Sequence, residues 1–449
     1  MIFDTITAIS SPMGQGAVAV VRVSGSESRN IAEKIFNKKN PSTKHMYYGM
    51  LYDGSILIDE VTWVFHESPS SFTGEDMLEV FCHGGRLITQ KVFETIIKSG
   101  ARQALPGEFS FRAVLNGKMD LIKAESINDM INAKTDNALK VASANLSNGI
   151  SAQIKEIKEM LMYFAASIEV ELDYPEDFEQ DDSSEKISYL KQIISKTGNI
   201  LKNAQNGIAA VQGVKTCIVG KPNSGKSTLL NSLLKTERAI VSPFAGTTRD
   251  TIEENISLFG INIRLIDTAG IRQTDNEIEN LGIVRSKKAI EQSEMIIFVI
   301  DGETGFTNED KELYDFIVAQ GKDNVILAIN KKDSVSFIKC EVPSFITWKT
   351  VEISALKNDI SELENVMYSM LCDKVEINEP VLTNLRQKQA LMNSYEAMLA
   401  ANSSYMQGYT SDVVMIDIRK AIQAINELIG ADYTQDLLES IFSNFCVGK

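Results

Sequence analysis

The sequence predicts a multidomain α/β protein, with a doubly wound α/β domain inserted into a helical bundle behind an N-terminal α+β domain. Short apolar runs alternate with helical segments from Val214 to about residue 372, which is the rhythm of a parallel sheet with crossover helices. Helical periodicity lies on both sides of that segment. The length of 449 residues is enough for several domains of roughly 150 residues each.

The N-terminal part of the chain alternates between strand and helix signals. Gly16–Val23 is a β-branched run opened by glycines, and Ile58–Phe65 and Met77–Cys82 are further apolar runs. Leu87–Ser99 has helical periodicity. We therefore expect residues 1–118 to form an α+β domain.

Long helices are predicted on both sides of the α/β segment. Apolar residues recur at helical spacing between residues 119 and 172, where the chain has no proline. The acidic stretch Glu169–Glu185 is expected to be a solvated loop, followed by a helix over about 185–206. The predicted boundaries are 119–211 and 376–449 for the two parts of the helical domain, and 212–375 for the inserted domain.

The composition excludes several classes of protein. The chain has 45 basic and 60 acidic residues, a net charge of −15, so it is not expected to be the main binder of a nucleic acid. Its five cysteines are widely spaced, which argues against a disulfide framework or a zinc ribbon. We find no membrane span and no signal peptide, and therefore expect a cytoplasmic protein.

A phosphate-binding motif opens the inserted domain. Gly220–Ser227 fits G-x-x-x-x-G-K-[ST] and lies between a strand candidate and a helix candidate. The glycines let backbone N–H groups curl around phosphate oxygens, and the helix N-terminus adds positive potential. Lys226 would reach the β and γ phosphates, and Ser227 would hold Mg²⁺.

Three tetrads follow in order, each at the end of a predicted strand. Asp267–Gly270 can hold Mg²⁺ through water and sense the γ-phosphate, and Ser354–Lys357 would support the base. Asn330–Asp333 ends in a carboxylate that can accept two hydrogen bonds from guanine, a pair of donors that adenine lacks. The order of these motifs predicts a Ras-like P-loop GTPase domain that selects GTP over ATP.

The residue after the first tetrad is Ile271, where Ras-type enzymes place a glutamine that orients the attacking water. Isoleucine cannot do this, so either hydrolysis is slow or another residue or an ion does the work. The polar segment Arg272–Arg285, which carries Glu277 and Glu279, is expected to form a mobile switch.

The GTPase motifs together with Gly246–Asp250 resemble the TrmE/Era-like group of translation GTPases. The flanking segments are similar to the MnmE (TrmE) family of tRNA modification GTPases over essentially the whole chain. Those segments are Ser71–Asp76, His83–Gly85, Pro106–Phe109, Arg112–Lys118 and the terminal Phe445–Lys449. Val114 stands where the family commonly has phenylalanine, which is an apolar exchange.

The resemblance implies that the N-terminal domain forms a homodimer and binds a 5-formyl- or methylene-tetrahydrofolate as one-carbon donor. The matching positions are Arg22, Glu79, Lys118 and, at the chain end, Lys449. The basic groups would meet the glutamate-tail carboxylates, and Glu79 would accept hydrogen bonds from the pterin. Without the family, each residue would be interpreted as part of a surface ion pair.

The resemblance also implies that K⁺ replaces an arginine finger where two GTPase domains meet. The K⁺ ligands would be Asn223, Ser242, Phe244 through its carbonyl oxygen, and Thr247, while Thr248 would join Ser227 on Mg²⁺. A cation near the β–γ bridge offsets charge that develops in the transition state. Glu279 matches the family's water-positioning glutamate. The predicted catalytic residues are Glu279, Lys226, Thr248 and Cys446. The predicted GTP contacts are Asn223, Ser224, Gly225, Lys226, Ser227, Thr228, Ser242, Gly246, Thr247, Thr248, Asp267, Thr268, Ala269, Gly270, Asn330, Lys331, Asp333, Ser354 and Ala355.

The family further implies an FAD-dependent MnmG-type partner, a hetero-tetramer with it, and addition of a carboxymethylaminomethyl-type group to C5 of the wobble uridine of certain tRNAs. The partner would then supply most of the tRNA-binding surface, which agrees with the acidic composition. Cys446 is either a nucleophile beside the folate site or a terminal cysteine that packs or stays free.

Two other functions stay open at this point. A ribosome-assembly GTPase would carry an RNA-binding appendage after the GTPase domain, and folate binding would separate it from the first hypothesis. A scaffold with degenerate nucleotide binding is disfavoured, because Lys226, Ser227, Asp267 and Asp333 are all present.

Overall fold

A computed structural model gives the fold of this chain. It describes residues 4–147, 149–174, 183–236, 254–266, 287–337, 342–371, 379–432, 435–443 and 445–448. The chain forms two compact units, residues 1–128 with 415–449 and residues 129–414. The first unit therefore contains both ends of the chain, and the second contains the P-loop.

The secondary structure elements are numbered in chain order. The strands are β1 (Ile6–Ile9), β2 (Val18–Ser24), β3 (Met46–Asp53), β4 (Ile56–His66), β5 (Met77–His83), β6 (Arg102–Gln103), β7 (Val214–Val219), β8 (Glu254–Leu258), β9 (Ile261–Leu265), β10 (Met295–Asp301), β11 (Val325–Asn330) and β12 (Lys349–Glu352). The helices are α1 (Ser28–Phe36), α2 (Arg86–Lys98), α3 (Glu108–Leu115), α4 (Leu121–Asn132), α5 (Asp136–Leu146), α6 (Gly149–Asp173), α7 (Ser183–Gln212), α8 (Lys226–Thr236), α9 (Asn308–Ala319), α10 (Ser361–Leu371), α11 (Leu385–Met406), α12 (Ser411–Ile429) and α13 (Gln435–Phe442).

The first unit is built on a six-stranded sheet in the order β3-β4-β5-β2-β1-β6. Ala19, Val21 and Val23 of β2 are buried, because a strand turns every second side chain to the same face. Helices α1 and α2 cover this face, where Val92 and Ile96 are fully buried. The three strands and the helix predicted from the sequence are confirmed here as β2, β4, β5 and α2.

The C-terminal segment packs within this first unit. Phe442 and Phe445 join Val114 and Leu121 in one apolar cluster. Gly107 has a φ of +68°, and a Cβ there would lie 2.6 Å from the carbonyl oxygen of Phe442. The close approach of the C-terminal segment to the start of α3 therefore requires glycine at this position.

Long helices form one part of the second unit. In α6 the residues Ile154, Ile157, Leu161 and Ile168 have no exposed surface, at the three- and four-residue spacing of one helix face. The prediction of a solvated loop over Glu169–Glu185 is wrong at both ends, since α6 runs to Asp173 and α7 begins at Ser183. The apolar face of α6 extends to Ile168. The acidic residues that follow it can face the solvent, where charged side chains are compatible with a helix.

A second six-stranded sheet, in the order β12-β11-β10-β7-β9-β8, forms the other part of this unit. Strands β7, β9, β10, β11 and β12 pair in parallel, and β8 runs antiparallel to β9. Strands β10 and β11 are buried along their whole length, as expected for a sheet covered on both faces. The predicted fold class is therefore confirmed. No helix in the described ranges is both long and apolar enough to cross a bilayer.

Candidate nucleotide-binding site

The phosphate-binding loop connects the end of β7 to the start of α8, as the motif requires. Gly220 and Gly225 both have positive φ, at +153° and +94°. A Cβ on Gly220 would lie 2.1 Å from the carbonyl oxygen of Val299, and one on Gly225 would lie 2.1 Å from the side-chain nitrogen of Asn330. The glycines therefore let the loop pack directly against its neighbouring loops and strand.

Two polar groups in this loop fit an anionic ligand. The Lys226 ammonium donates a hydrogen bond to the carbonyl oxygen of Lys221 at 2.6 Å, and burial lowers its pKa to about 8, opposed by the charge of Asp310. The Ser224 hydroxyl is buried, and among the described residues it has no hydrogen-bond partner. A phosphate would restore charge balance at the first group and supply an acceptor to the second.

Asn330 is one of the predicted GTP contacts, and in the structure its side chain joins three loops. Its amide nitrogen donates to the carbonyl oxygen of Ser224 at 2.9 Å, and its amide oxygen accepts from the backbone N–H of Ala355 at 3.0 Å. The phosphate loop, the second tetrad and the third tetrad therefore meet at one buried amide.

Asp333, the predicted base-reading carboxylate, lies beside the third tetrad. The hydroxyl of Ser354 donates to its Oδ1 at 2.6 Å, and this hydrogen bond is the main reason that the pKa of Asp333 lies below its ordinary value. The carboxylate therefore stays ionised and can accept hydrogen bonds from the guanine edge. Lys331 has a φ of +68°, in the left-handed region.

The segment after β10 contacts both nucleotide-binding loops, which sequence reasoning missed. Lys331 Nζ lies 2.7 Å from Asp301 Oδ2 and 3.0 Å from Glu303 Oε2. In the phosphate loop, Lys221 Nζ donates to Thr304 Oγ1 at 2.7 Å and lies 3.5 Å from Oδ2 of the fully buried Asp310. The sequence signal for these contacts is Asp301, the aspartate that ends the apolar run of β10.

The other predicted nucleotide-site residues divide into those that the structure describes and those that lie outside the described ranges. Ser227 and Thr228 lie in the first turn of α8, and Asn223 is exposed in the phosphate loop with a φ of +63°. The predicted residues outside the described ranges are Ser242, Phe244, Gly246, Thr247, Thr248, Asp267, Thr268, Ala269, Gly270, Ile271, Glu277, Glu279 and Lys449. The structure thus brings the phosphate loop and the last two tetrads together, and the predicted Mg²⁺ and K⁺ sets stay predictions.

In the first unit, the predicted folate residues flank one loop. Arg22 and Glu79 are partners in the β2–β5 register, and Arg22 Nε lies 2.8 Å from Glu79 Oε1. Lys118 Nζ donates to the carbonyl oxygen of Pro69 at 2.8 Å. The guanidinium of Arg22 lies 5.8 Å from the ring centre of Phe72, in the same loop as Pro69. His66, which was not predicted, places Nε2 3.3 Å from Glu79 Oε2.

The chain end lies beside β1. The Ser10 hydroxyl donates to the carbonyl oxygen of Gly448 at 3.1 Å. The backbone N–H of Gly107 donates to the carbonyl oxygen of Cys446 at 3.3 Å. Cys446 is exposed and forms no disulfide. Arg22 of β2 pairs with Ala8 of β1, so the C-terminal tail, which contacts Ser10 just after β1, lies beside the strand next to Arg22.

Comparison with known proteins agrees with this arrangement. Residues 121–446 match the model of the MnmE helical domain, and residues 5–118 match that of the GTP-binding protein TrmE N-terminus. The chain belongs to the MnmE family. The tRNA modification GTPase MnmE of Petrotoga mobilis is 52% identical over 456 residues, covering 100% of both chains. The MnmE of Thermotoga petrophila is 39% identical, covering 99% of this chain and 100% of its own.

MnmE membership accounts for the Ras-like domain within a helical domain. Among solved structures, a crystal structure of Aquifex aeolicus Era aligns over 41% of this chain and 67% of that one, with 31% identity and a TM-score of 0.28. The MnmE assignment rests on the two family models and the full-length relatives.

Proposed function

We propose that this MnmE family member is a K⁺-stimulated GTP hydrolase that drives modification of the tRNA wobble uridine. The coarse activity, GTP hydrolysis in tRNA modification, follows from the family. The observation that supports it best is the buried amide of Asn330, which joins the phosphate loop to the tetrad carrying Asp333.

GTP and Mg²⁺ fit the residues of the phosphate loop. Lys226 would hold the β and γ phosphates and regain full protonation beside them. Ser227 and Thr248 would be Mg²⁺ ligands, and the ion would neutralise phosphate charge as the bond to the γ-phosphate breaks. Glu279 would orient the attacking water, a role that Ile271 cannot fill.

For K⁺ we propose Asn223, Ser242, Phe244 and Thr247 as ligands. Asn223 is the one that the structure describes, and its exposed, left-handed position in the phosphate loop leaves its amide free to turn towards a cation. The cation would supply positive charge near the β–γ bridge. Pairing of two GTPase domains would complete the site.

For the first unit we propose a tetrahydrofolate site at Arg22, Glu79, Lys118 and Lys449. The side chains of Arg22 and Glu79 keep 23% and 18% of their surface exposed, beside the ring of Phe72, so the pair is both charged and accessible to a ligand. This combination suits a pterin with a carboxylate tail. The ligand would supply the one-carbon unit, with Cys446 as a nearby thiol.

The proposed partners are a second copy of this chain, an FAD-dependent MnmG-type protein and tRNA. In support of a homodimer through the N-terminal domain, the edge strand β3 exposes Met46, Tyr48, Met50 and Tyr52 along one face, 38–73% exposed. A contiguous apolar face of this kind commonly marks an interface. The MnmG-type protein would form a hetero-tetramer with this dimer and supply most of the tRNA surface. We propose that the complex works in the cytoplasm.

The test is GTP hydrolysis by the purified full chain in K⁺ and in Na⁺ at equal ionic strength, for the wild type and Asn223→Ala. We expect turnover in K⁺ to exceed that in Na⁺ by at least about tenfold, and Asn223→Ala to remove most of the difference. Equally slow turnover in both salts would contradict the K⁺ mechanism and favour a GTPase that needs an external activator, such as a ribosome-assembly factor.

A further inference from the structure

Glu303 contacts the loop that carries Asp333 on both sides of that residue. Its Oε2 lies 3.0 Å from Lys331 Nζ, and its Oε1 accepts a hydrogen bond from Ser334 Oγ at 2.6 Å. Lys331 and Ser334 are the residues on either side of the Lys332–Asp333 pair. One carboxylate outside the four nucleotide-binding motifs therefore holds the loop of the proposed base-reading carboxylate at two points.

The loop is strained and needs such restraints. Lys331 adopts a φ of +68°, which costs a side chain with a Cβ about 1–2 kcal/mol. The turn is closed by a hydrogen bond from the backbone N–H of Ser334 to the carbonyl oxygen of Lys331 at 2.9 Å. A strained conformation persists when its surroundings fix it, and Glu303 bonds to the side chains of both residues that close this turn.

A second set of contacts fixes the other side of the loop. Ser354 donates to Asp333 Oδ1 at 2.6 Å, and the backbone N–H of Lys332 donates to the carbonyl oxygen of Ile353 at 3.0 Å. These contacts come from the end of β12, whereas Glu303 follows β10. Because β10 and β12 lie on opposite sides of β11, the loop is held from both neighbouring strands.

We propose that Glu303 is a positioning residue for guanine recognition, which fixes Asp333 through Lys331 and Ser334. This inference rests on the proposed function, binding of GTP by this domain. Asp333 would accept hydrogen bonds from N1–H and from the 2-amino group of guanine, and two bonds demand a fixed carboxylate more than one does. Glu303 would therefore raise the preference for guanine over hypoxanthine, which lacks the 2-amino group.

Three substitutions separate the contributions of charge and hydrogen bonding. Glu303→Gln removes the negative charge beside Lys331 and keeps an amide oxygen for Ser334. Ser334→Ala removes only the second contact, and Glu303→Ala removes both. Lys331 keeps its partner Asp301, at 2.7 Å, in all three variants, so the fold of the domain does not depend on this cluster alone.

The experiment measures equilibrium binding of fluorescently labelled GDP, IDP and ADP to the full-length protein. In Glu303→Ala we expect GDP affinity to fall about five- to twentyfold and IDP affinity at most about threefold, so the GDP/IDP preference falls. Ser334→Ala and Glu303→Gln should show smaller changes in the same direction. In hydrolysis assays of Glu303→Ala, KM for GTP should rise while kcat changes less than about twofold.

The matched control is Glu312→Ala, since Glu312 is an exposed carboxylate on α9 and contacts neither nucleotide-binding loop in the described structure. It should leave the GDP/IDP preference unchanged. An unchanged preference in both Glu303→Ala and Ser334→Ala, or an equal loss of GDP and IDP affinity, would overturn the inference. If the wild type does not prefer GDP to ADP, the proposed function itself fails, and the inference fails with it.

Discussion

The side-chain amide of Asn330 donates a hydrogen bond to the carbonyl oxygen of Ser224 at 2.9 Å, linking the end of β11 to the phosphate-binding loop. Asn330 is 3% exposed, and Gly225 packs so closely on its amide that a Cβ there would lie 2.1 Å from the nitrogen. The two loops that would hold the phosphates and the base are therefore one structural unit.

The first prediction concerns this contact. Asn330→Ala should lower the free energy of unfolding by about 2–4 kcal/mol, because two buried backbone groups lose their partner, and should weaken GDP binding more than tenfold. Gly225→Ala should also weaken binding, since its methyl group would displace the Asn330 amide. Isothermal titration calorimetry with GDP, applied to both variants and to the double variant, measures the loss of affinity.

If both substitutions break the same contact, the double variant should bind GDP about as weakly as the weaker single variant. Fully additive losses would contradict a shared contact. Asn324→Ala is the control, because Asn324 is a half-buried residue just before β11 whose side-chain amide donates to the carbonyl oxygen of Glu294, away from the phosphate loop. It should change GDP affinity less than about twofold.

The second prediction concerns the pH dependence due to Lys226. Burial lowers its pKa from the ordinary 10.5 to about 8, so the unfolded chain binds more protons than the folded one between these values. The contribution of Lys226 to the free energy of unfolding should therefore rise as pH rises from about 8 to 10.5. At pH 7 Lys226→Met should stabilise the nucleotide-free protein by up to about 3 kcal/mol and abolish GTP binding.

Urea unfolding of the wild type and Lys226→Met at pH 7 and pH 10 measures this difference. The difference in free energy of unfolding between the two proteins should be smaller at pH 10 than at pH 7. Lys235→Met, at an exposed position near the end of α8, is the control and should show a gap that does not depend on pH. A Lys226→Met protein that is less stable than the wild type at pH 7 would contradict the prediction.

The third prediction concerns the buried Arg112 of the first unit. Its side chain has no exposed surface and lies 3.1 Å from Glu75, 2.9 Å from Glu108 and 3.1 Å from Asp4. Arg112→Met leaves these carboxylates without their buried cation and should cost about 3–5 kcal/mol. Lys91→Met, which removes an exposed ion pair with Glu94, should cost less than about 1 kcal/mol.

The measurement uses the tryptophans, of which the chain has two, Trp63 in the core of the first unit and Trp348 in the second. In a Trp348→Phe background, the fluorescence of Trp63 follows unfolding of the first unit. If Arg112→Met leaves the midpoint of that transition unchanged, the network does not stabilise the unit.

The same cluster should make the first unit sensitive to acid. The hydrogen bond from Arg102 lowers the pKa of Asp4 below its ordinary value. Burial raises the pKa of Glu108, but the hydrogen bonds from Arg102, Leu105 and Arg112 outweigh burial, so the pKa of Glu108 is also lowered. Stability from these groups is present above their ordinary values and is lost as pH falls below about 4. Acid titration followed by Trp63 fluorescence should show this loss, and Arg112→Met should reduce it.

The fourth prediction concerns the proposed folate site. Arg22→Met should weaken binding of 5-formyl-tetrahydrofolate at least about tenfold, since it removes the cation and its contacts with Glu79 and Phe72. GTP hydrolysis by the free protein should be unchanged. Calorimetric titration measures the affinity. Lys98→Met, which removes an exposed ion pair with Asp53, is the control and should bind 5-formyl-tetrahydrofolate as the wild type does. Equal affinity in Arg22→Met would exclude Arg22 from the site.

Much of the nucleotide site could be predicted from the sequence because its chemistry is local. Gly220–Ser227 encodes a turn and a helix start within eight neighbouring residues, and each tetrad follows its own apolar strand. Strand periodicity and β-branched runs likewise located β2, β10 and β11. The strands β1, β3, β6 and β8 were missed. Strands β1, β6 and β8 are short, and β3 has apolar side chains on both faces, so none of them shows a strong alternation.

Other features depend on contacts between residues distant in sequence, which only the tertiary structure decided. Glu303 faces Lys331 because β10 and β11 are parallel neighbours, and their carboxyl ends bring the two following loops together. The chain end reaches β1 because Phe442 and Phe445 are buried in the first unit. The sequence by itself determined which residues carry the chemistry and which elements hold them. Strand order and core packing, which sum many weak long-range contacts, decided which of those residues meet.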